Sequence, residues 1–182
     1  IKTFFNDRVK IIKPTVYNDK RGYFCETYNY KELIKFGIKD DFVQDNNSLS
    51  KKKNTFRGLH LQLTPFQQSK IVRCIKGSFT DIIVDLRFNS STYCKYKTIK
   101  ISEKNMYQVY IPKNFAHGFI TLENDTIINY KTSGYFNKTK AVSISLYDSM
   151  INFKMPDKKS KLIMSKNDIN GIFINDYERL NK

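Results

Sequence analysis

The chain contains two histidines, and each sits in an unusual setting. His60 lies in the strand-like run Phe56-Arg57-Gly58-Leu59-His60-Leu61-Gln62. Alternation places Gly58, His60 and Gln62 on one face and Arg57, Leu59 and Leu61 on the other, with Gly58 leaving space beside the ring. His117 lies in Phe115-Ala116-His117-Gly118-Phe119, where small neighbours let an imidazole point into a cavity. Two further polar groups occur in similar runs, Lys70 in Gln68-Ser69-Lys70-Ile71-Val72-Arg73 and Tyr130 in Asn129-Tyr130-Lys131. An imidazole titrates near neutrality and can take a proton, an ammonium in a dry cavity stabilises an enolate, and a phenol is a weak acid that desolvates without charge cost. A base, a cation and an acid on consecutive strands therefore suit proton removal and return at a carbon. Each residue taken alone also suits a structural role, as a hydrogen-bonded histidine or a half-buried wall tyrosine. A metal is the other use for histidines in a barrel. Gln62 stands two positions beyond His60, and two histidines cannot make a three-histidine site, so no metal is expected.

The elements that must hold these groups are short. Turn-prone clusters occur at Asn18 to Gly22, Asn46 to Asn54, Arg87 to Ser91 and Asn137 to Lys140. Between them, Thr80 to Leu86, Tyr93 to Ile101, Tyr107 to Ile111, Phe115 to Leu122, Thr126 to Lys131 and Ala141 to Leu146 are β-branched or aromatic with partial alternation. Strands at spacings of roughly ten residues predict an all-β sandwich or barrel. Helix signals are confined to Tyr30 to Phe36, closed by Gly37, and a short segment after Ser165. The lysine-rich piece Asp157 to Lys161 reads as a solvated connector.

With 182 residues, 40% hydrophobic and 14% aromatic, the chain suits one domain with a sizeable core and not a disordered one. Lysine and arginine number 32 against 17 acidic residues, a formal charge of +15, which directs attention to anionic ligands, nucleic acid or anionic membranes. Basic runs at Lys51 to Lys53 and Lys158 to Lys161 would be the nucleic-acid patches, yet the other cations are scattered and no recognition-helix, zinc or stacking motif accompanies them. Neither nucleic acid nor membrane is expected as a partner. Cys25, Cys74 and Cys94 are an odd number without a pairing pattern, read as reduced thiols of a cytoplasmic protein. The start alternates apolar and charged residues, and no run approaches a membrane span.

Several motifs follow one another in a single order. They are Phe42-Val43-Gln44-Asp45-Asn46, Arg57 to Gln62, Lys70-Ile71-Val72-Arg73, Val84-Asp85-Leu86-Arg87 and Ile111 to Phe119. Lys20-Arg21-Gly22-Tyr23-Phe24-Cys25-Glu26-Thr27 precedes them and Ser165-Lys166-Asn167-Asp168 closes the series. The series resembles the dTDP-4-dehydrorhamnose 3,5-epimerase family. That resemblance implies a mainly β, cupin-like jelly-roll barrel with a few short helices, one domain over residues 1–182, the barrel at about 40–150 and a C-terminal helical segment at about 157–182. It implies a homodimer acting on a nucleotide-diphosphate sugar, with neither metal nor organic cofactor. His60 takes the role of the base next to the C4 ketone, with Asp168 or Asp85 as its carboxylate partner. Lys70 becomes the enolate-stabilising cation and Tyr130 the acid on the opposite face. Arg57 and His117 lie around the sugar and diphosphate. Gln44, Asn46, Lys166, Arg21 and Glu26 match positions that hold the nucleotide, the last two reaching across a dimer.

The resemblance has one gap. After Tyr130 the family continues through two aromatics, a proline and an acidic residue into a strand containing tryptophan. Here Tyr135 and Phe136 are followed by Asn137-Lys138-Thr139-Lys140, and the proline, glutamate and tryptophan are missing. This departure, together with a composition heavy in Lys, Asn, Ile, Phe and Tyr, points to a GDP-4-keto-heptose of capsular polysaccharide biosynthesis as substrate, with the dTDP-linked 6-deoxyhexose as the alternative. A sugar-binding barrel without catalysis is the non-enzyme reading, against which the joint presence of His60, Lys70, Tyr130 and Asp168 argues.

Overall fold

The computed structural model describes residues 1–155 and 161–181. Most of the lysine-rich connector therefore lies outside the described residues. Among the described residues, strands occur at β1 (Lys2–Phe4), β2 (Val9–Ile12), β3 (Val16–Asp19), β4 (Gly22–Cys25), β5 (Gln44–Ser50), β6 (Phe56–Gln62) and β7 (Lys70–Lys76). They continue through β8 (Ser78–Asp85), β9 (Tyr96–Ser102), β10 (Gln108–Ile111), β11 (Phe115–Thr121), β12 (Thr126–Thr132) and β13 (Ala141–Ser143). The helices are α1 (Tyr30–Lys35), α2 (Lys166–Ile169) and α3 (Ile174–Leu180). None is long and apolar enough to cross a membrane. The three cysteines are unpaired.

Two antiparallel sheets face each other as a mainly β barrel, one ordered β1-β2-β10-β7-β12-β5 and the other β13-β6-β11-β8-β9, while β3 and β4 form a separate hairpin. The barrel expected over about 40–150 thus also takes in β1 and β2. The run read as a turn from Asn46 is strand as far as Ser50, because its polar alternate residues face solvent or a polar cavity and β12 supplies hydrogen bonds along its whole length. Ala141 to Leu146 is strand only to Ser143, after which Ile144 bridges to Ile172. Helix α1 ends as expected, with Ile38 N–H reaching back to the Leu33 carbonyl beside Gly37.

The space between the sheets is filled by residues such as Val72, Phe79, Ile83, Ile101, Val109, Phe119 and Ile128, drawn from β2 and from β7 to β12. Strands β5 and β6 contribute nothing to this cluster, so the barrel is apolar on one side and open to polar groups on the other. A second apolar layer lies outside β6, β8 and β11. There Phe56, Leu59, Ile82, Val84 and Ala116 are covered by Ile144, Leu146, Ile151, Ile174 and Tyr177. Each large side chain so covered contributes about 1.5–3 kcal/mol relative to exposure. Asp148 accepts the Ile174 amide at 2.7 Å and closes the start of α3. This layer fixes the C-terminal segment against β6 and brings α2 to the edge of the cavity.

Strand β6 does not alternate as the sequence suggested. His60 stands opposite His117 and Arg57 opposite Phe119, so Gly58 and Leu59 together face Gly118 alone. This bulge puts Arg57 and His60 on the same face. Two glycines permit it: a Cβ on Gly58, which has φ +146°, would sit 2.5 Å from the Gly118 Cα, and one on Gly118 would sit 2.8 Å from the Arg57 carbonyl oxygen.

Candidate active site

Cross-strand pairing decides which side chains share the cavity. On the five-stranded sheet, Arg57 and His60 of β6 pair with Phe119 and His117 of β11, and these pair in turn with Asp81 and Ile83 of β8. Phe119 and Ile83 belong to the inter-sheet core, so the whole set points inward. On the facing sheet, Tyr130 of β12 pairs with Val72 of β7 and Asn46 of β5, and Lys70 pairs with Thr132. Val72 is a core residue, which turns Lys70, Tyr130, Asn46 and Gln44 inward as well.

His60 Nε2 lies 2.7 Å from Asp168 Oδ1, although the two residues are 108 positions apart in the chain. Asp168 is only 4% exposed. Its other oxygen accepts the Ser165 hydroxyl at 2.9 Å, and its amide donates to that hydroxyl at 3.2 Å, a reciprocal cap at the start of α2. Burial opposes ionisation of Asp168, but the His60 ring, the Ser165 hydroxyl and the Gly58 amide outweigh it and hold the carboxyl below its ordinary range. An ionised carboxylate only accepts, so Nε2 carries the proton and Nδ1 is left with a lone pair. The ring is about half exposed and therefore reachable. Asp85, the other candidate partner, is taken: Arg87 at 2.6 and 2.8 Å and Ser90 at 2.7 Å surround it, with Thr92 adding a further bond. Asp168, not Asp85, partners His60.

Lys70 is buried, and its ammonium donates to the His60 carbonyl oxygen at 3.3 Å. Burial pushes its pKa down to about 8, with Asp81 opposing the fall. His117 Nε2 meets Asp81 Oδ1 at 2.6 Å, and both residues are buried. Burial lowers the His117 pKa, Asp81 opposes that, and Lys70 and His60 reinforce it, so the ring is neutral at pH 7. Tyr130 is half-buried and its phenol is raised by burial, with Arg57 opposing, so it stays protonated as an acid must. Arg57 is anchored by the Ser50 hydroxyl at 3.3 Å and the Leu49 carbonyl at 3.1 Å. Gln44 donates to Asn46 Oδ1 at 2.8 Å and accepts the Phe136 amide at 3.1 Å, which ties β5 to the loop after β12.

Three further residues expected at the site form no hydrogen bond with these inward groups among the described residues. Arg21 pairs with Asp19 on the β3–β4 hairpin, Glu26 accepts from Asn29, and Lys166 is exposed on the first turn of α2. Sequence reasoning missed Asp81 altogether. Its signal, shared with Asp85, was an acid inside the β-branched run Thr80 to Leu86, since a buried carboxylate needs a partner. A surface depression lined by Arg87, Phe88, Ser90 and Tyr177 among others contains none of these inward groups. Its arginine is already neutralised by Asp85. Among the described residues, no three His, Cys, Asp or Glu side chains are grouped to hold a metal ion.

The arrangement places His60, held by Asp168 of α2, on one sheet and a buried ammonium and a phenol on the other, all facing the barrel interior. The dTDP-4-dehydrorhamnose 3,5-epimerase family model matches residues 6–176. The Shigella flexneri dTDP-4-dehydrorhamnose 3,5-epimerase is 41% identical over 172 residues, covering 94% of this chain and 93% of its own length. A Bacillus anthracis enzyme of that name, solved with TDP and PPi bound, superposes with a TM-score of 0.90 at 36% identity, covering 95% of this chain and 97% of its own. A Legionella pneumophila dTDP-6-deoxy-D-glucose-3,5-epimerase, solved with dTDP-4-keto-L-rhamnose, gives 0.89 at 34% identity, covering 95% and 91%. The fold is the cupin-like barrel of these epimerases, and this chain, an isomerase acting on a nucleotide-linked keto-sugar, belongs to the dTDP-4-dehydrorhamnose 3,5-epimerase family.

Proposed function

We propose that the chain inverts C3 and C5 of dTDP-4-dehydro-6-deoxyglucose by proton abstraction next to the C4 ketone. The observation that carries this reading is the placement of the His60–Asp168 pair and of Tyr130 on facing sheets of one barrel, with the Lys70 ammonium on the His60 carbonyl oxygen. Inversion needs a base on one face of the carbon, an acid on the other and a fixed positive charge at the ketone oxygen. His60 Nδ1 takes the proton and Asp168 stabilises the imidazolium. The electron pair moves to the C4 oxygen, where Lys70 stabilises the enolate. Tyr130 then protonates the carbon from the other side. The ketone-activated proton is far less acidic than an imidazolium, so enolate stabilisation, not base strength, closes the gap.

The relatives favour the dTDP-linked deoxyhexose over the GDP-4-keto-heptose and the capsular pathway suggested by the composition and the altered segment after Tyr130. Gln44, Asn46, Arg57, His117 and Lys166 hold the sugar and nucleotide in this reading. The enzyme works as a cytoplasmic homodimer in which the partner subunit's Arg21 and the partner subunit's Glu26 complete the nucleotide site. Support for the dimer comes from the β3–β4 hairpin, which presents Tyr17, Tyr23 and Phe24 at 62%, 66% and 68% exposure beside Arg21.

The test is NMR in D2O with dTDP-4-dehydro-6-deoxyglucose and a GDP-4-keto-heptose in parallel. Deuterium is expected at both C3 and C5 of the dTDP sugar. Exchange at C3 alone would reduce the activity to a single centre, preference for the GDP-heptose would reverse the substrate assignment, and exchange with neither would remove it. Sedimentation of the wild type and of Tyr23→Ser/Phe24→Ser tests the dimer, which the double variant is expected to dissociate.

A further inference from the structure

We propose that Asp81 is a positioning residue of this site, holding His117 through one carboxylate oxygen and serving through the other as the counter-charge of Lys70. The inference rests on the epimerase reading above and assigns a residue which that reading leaves without a role.

Asp81 is fully buried on the inward face of β8. Its Oδ1 is used by His117 at 2.6 Å, while its Oδ2 is buried and has no hydrogen-bond partner among the described residues. An unpaired buried carboxylate oxygen costs on the order of 1–3 kcal/mol or more, so its retention needs a reason beyond packing. Lys70 presents the complementary problem. It is a buried ammonium whose bond to the His60 carbonyl engages one of its three protons.

The groups that face Lys70 from the surrounding strands can be taken in turn. His117 of β11 is neutral, Tyr130 of β12 is a protonated phenol, and Arg57 of β6 is a like charge. His60 of β6 faces it with its carbonyl, and the carboxylate behind that residue, Asp168, is taken by the ring and by Ser165. Asp40 is turned to Ser69 and Tyr110. Among the described residues, Asp81 is the buried carboxylate with an unbonded oxygen, and its negative charge opposes the effect of burial on Lys70. The same contact fixes His117 with its proton on Nε2, which leaves Nδ1 to accept from a sugar hydroxyl. One carboxylate therefore sets the charge of the group at the enolate oxygen and the tautomer of a group at the sugar.

The sign of the effect follows. Lys70 acts as a cation, so activity falls as pH rises through its pKa. Loss of the neighbouring negative charge lowers that pKa and moves the alkaline limb toward acid.

The experiment compares wild type with Asp81→Asn in two ways. In the substrate-free protein, the Lys70 side-chain carbon resonance, identified by its loss in Lys70→Met, is titrated by NMR. A downward shift of at least one pH unit is expected in Asp81→Asn. In deuterium exchange into the dTDP keto-sugar, the variant is expected to lose about fivefold or more in kcat relative to wild type at pH 8 but under threefold at pH 6. An unmoved Lys70 titration, or an equal loss at every pH, would reduce Asp81 to a structural residue and overturn the proposal. Should Asp81→Asn fail to fold, nitrogen NMR of the wild type still decides the tautomer: protonation of His117 on Nδ1 would overturn the proposal. The Lys70 titration and the His117 nitrogen spectrum use no sugar, so they read this inference separately from the substrate assignment.

Discussion

Replacing Asp168 by Asn tests the base directly. The change is nearly isosteric. The Asn oxygen can keep the Ser165 hydroxyl and the Gly58 amide, so α2 should stay in place. Its amide group then faces His60 Nε2, which must become an acceptor, and the ring proton moves to Nδ1, the atom that has to take the substrate proton. The loss has two parts. The Asp168–imidazolium attraction at 2.7 Å, at an effective dielectric of about 20, is about 6 kcal/mol, and solvent on the half-exposed ring cuts this to about 3 kcal/mol, or roughly 100-fold in rate. Fixing the wrong tautomer raises the loss toward about 10⁴-fold, the scale found when a catalytic histidine loses its orienting carboxylate. A fall of about 10² to 10⁴ in the deuterium-exchange rate is therefore expected, with dTDP affinity changed less than threefold by calorimetry. A variant that exchanges within tenfold of wild type, while folded and able to bind dTDP, would refute the assignment of His60 as a carboxylate-oriented base.

Other expectations can be checked with the same protein. Tyr130→Phe keeps the base and the enolate site, so deuterium wash-in at one or more carbons should persist while inversion, followed by the chirality of the product, is impaired. Wild-type kcat should decline above about pH 8 as the buried Lys70 ammonium loses its proton, and Lys70→Met should abolish exchange across the whole pH range. Gly58→Ala would force a Cβ against Gly118 at positive φ, and a loss of about 2 kcal/mol or more is expected, seen as a melting temperature lower by about 4–8 °C. Asp85 lies on the opposite side of the acid question from Lys70. Its carboxyl is held below its ordinary value of 3.8 by Arg87, Thr92 and Ser90 against the pull of burial. Its stabilisation is thus present above about pH 4 and lost as pH falls through the folded-state value. Asp85→Asn should cost about 2–3 kcal/mol in urea unfolding at pH 7, a gap that closes as the pH is lowered below 3.

How far the site could be read from the residues varied with what holds each one. The long central strands were legible because β-branched and aromatic residues accumulate where both faces are buried, as in Thr80 to Leu86. Strands β1, β3, β4 and β5 were not, since they lie at sheet edges or in a free hairpin, where polar residues are tolerated on either face and composition looks like loop. His60, Lys70 and Tyr130 were found through their chemistry and their motif setting, but the face on which Arg57 lies was misjudged, because a bulge adds one residue and strict alternation cannot register it. The choice between Asp168 and Asp85 was open for a related reason. The partner of His60 arrives from a helix 108 residues away, and only the apolar layer on the outside of the barrel decides that it arrives there. Asp81 went unnoticed because nothing in a linear run distinguishes an inward-facing carboxylate from one at a strand end.

The division of labour between the sheets has a consequence for how this fold tolerates change. The base and its carboxylate depend on the C-terminal segment docked outside the five-stranded sheet, whereas Lys70 and Tyr130 depend on β7 and β12 of the other sheet. A substitution that loosens the outer layer, such as truncation of the buried Tyr177, should displace Asp168 from His60 and reduce proton abstraction while leaving the cation and the acid where they are. Damage in the inter-sheet core, at Val72 or Ile128, should act on Lys70 and Tyr130 first. The two kinds of variant are therefore separable by one ratio, deuterium wash-in to net inversion. Tyr177→Ala is expected to lower both together because the first step fails, and Ile128→Ala is expected to lower inversion more than wash-in because the returning proton comes from the displaced wall.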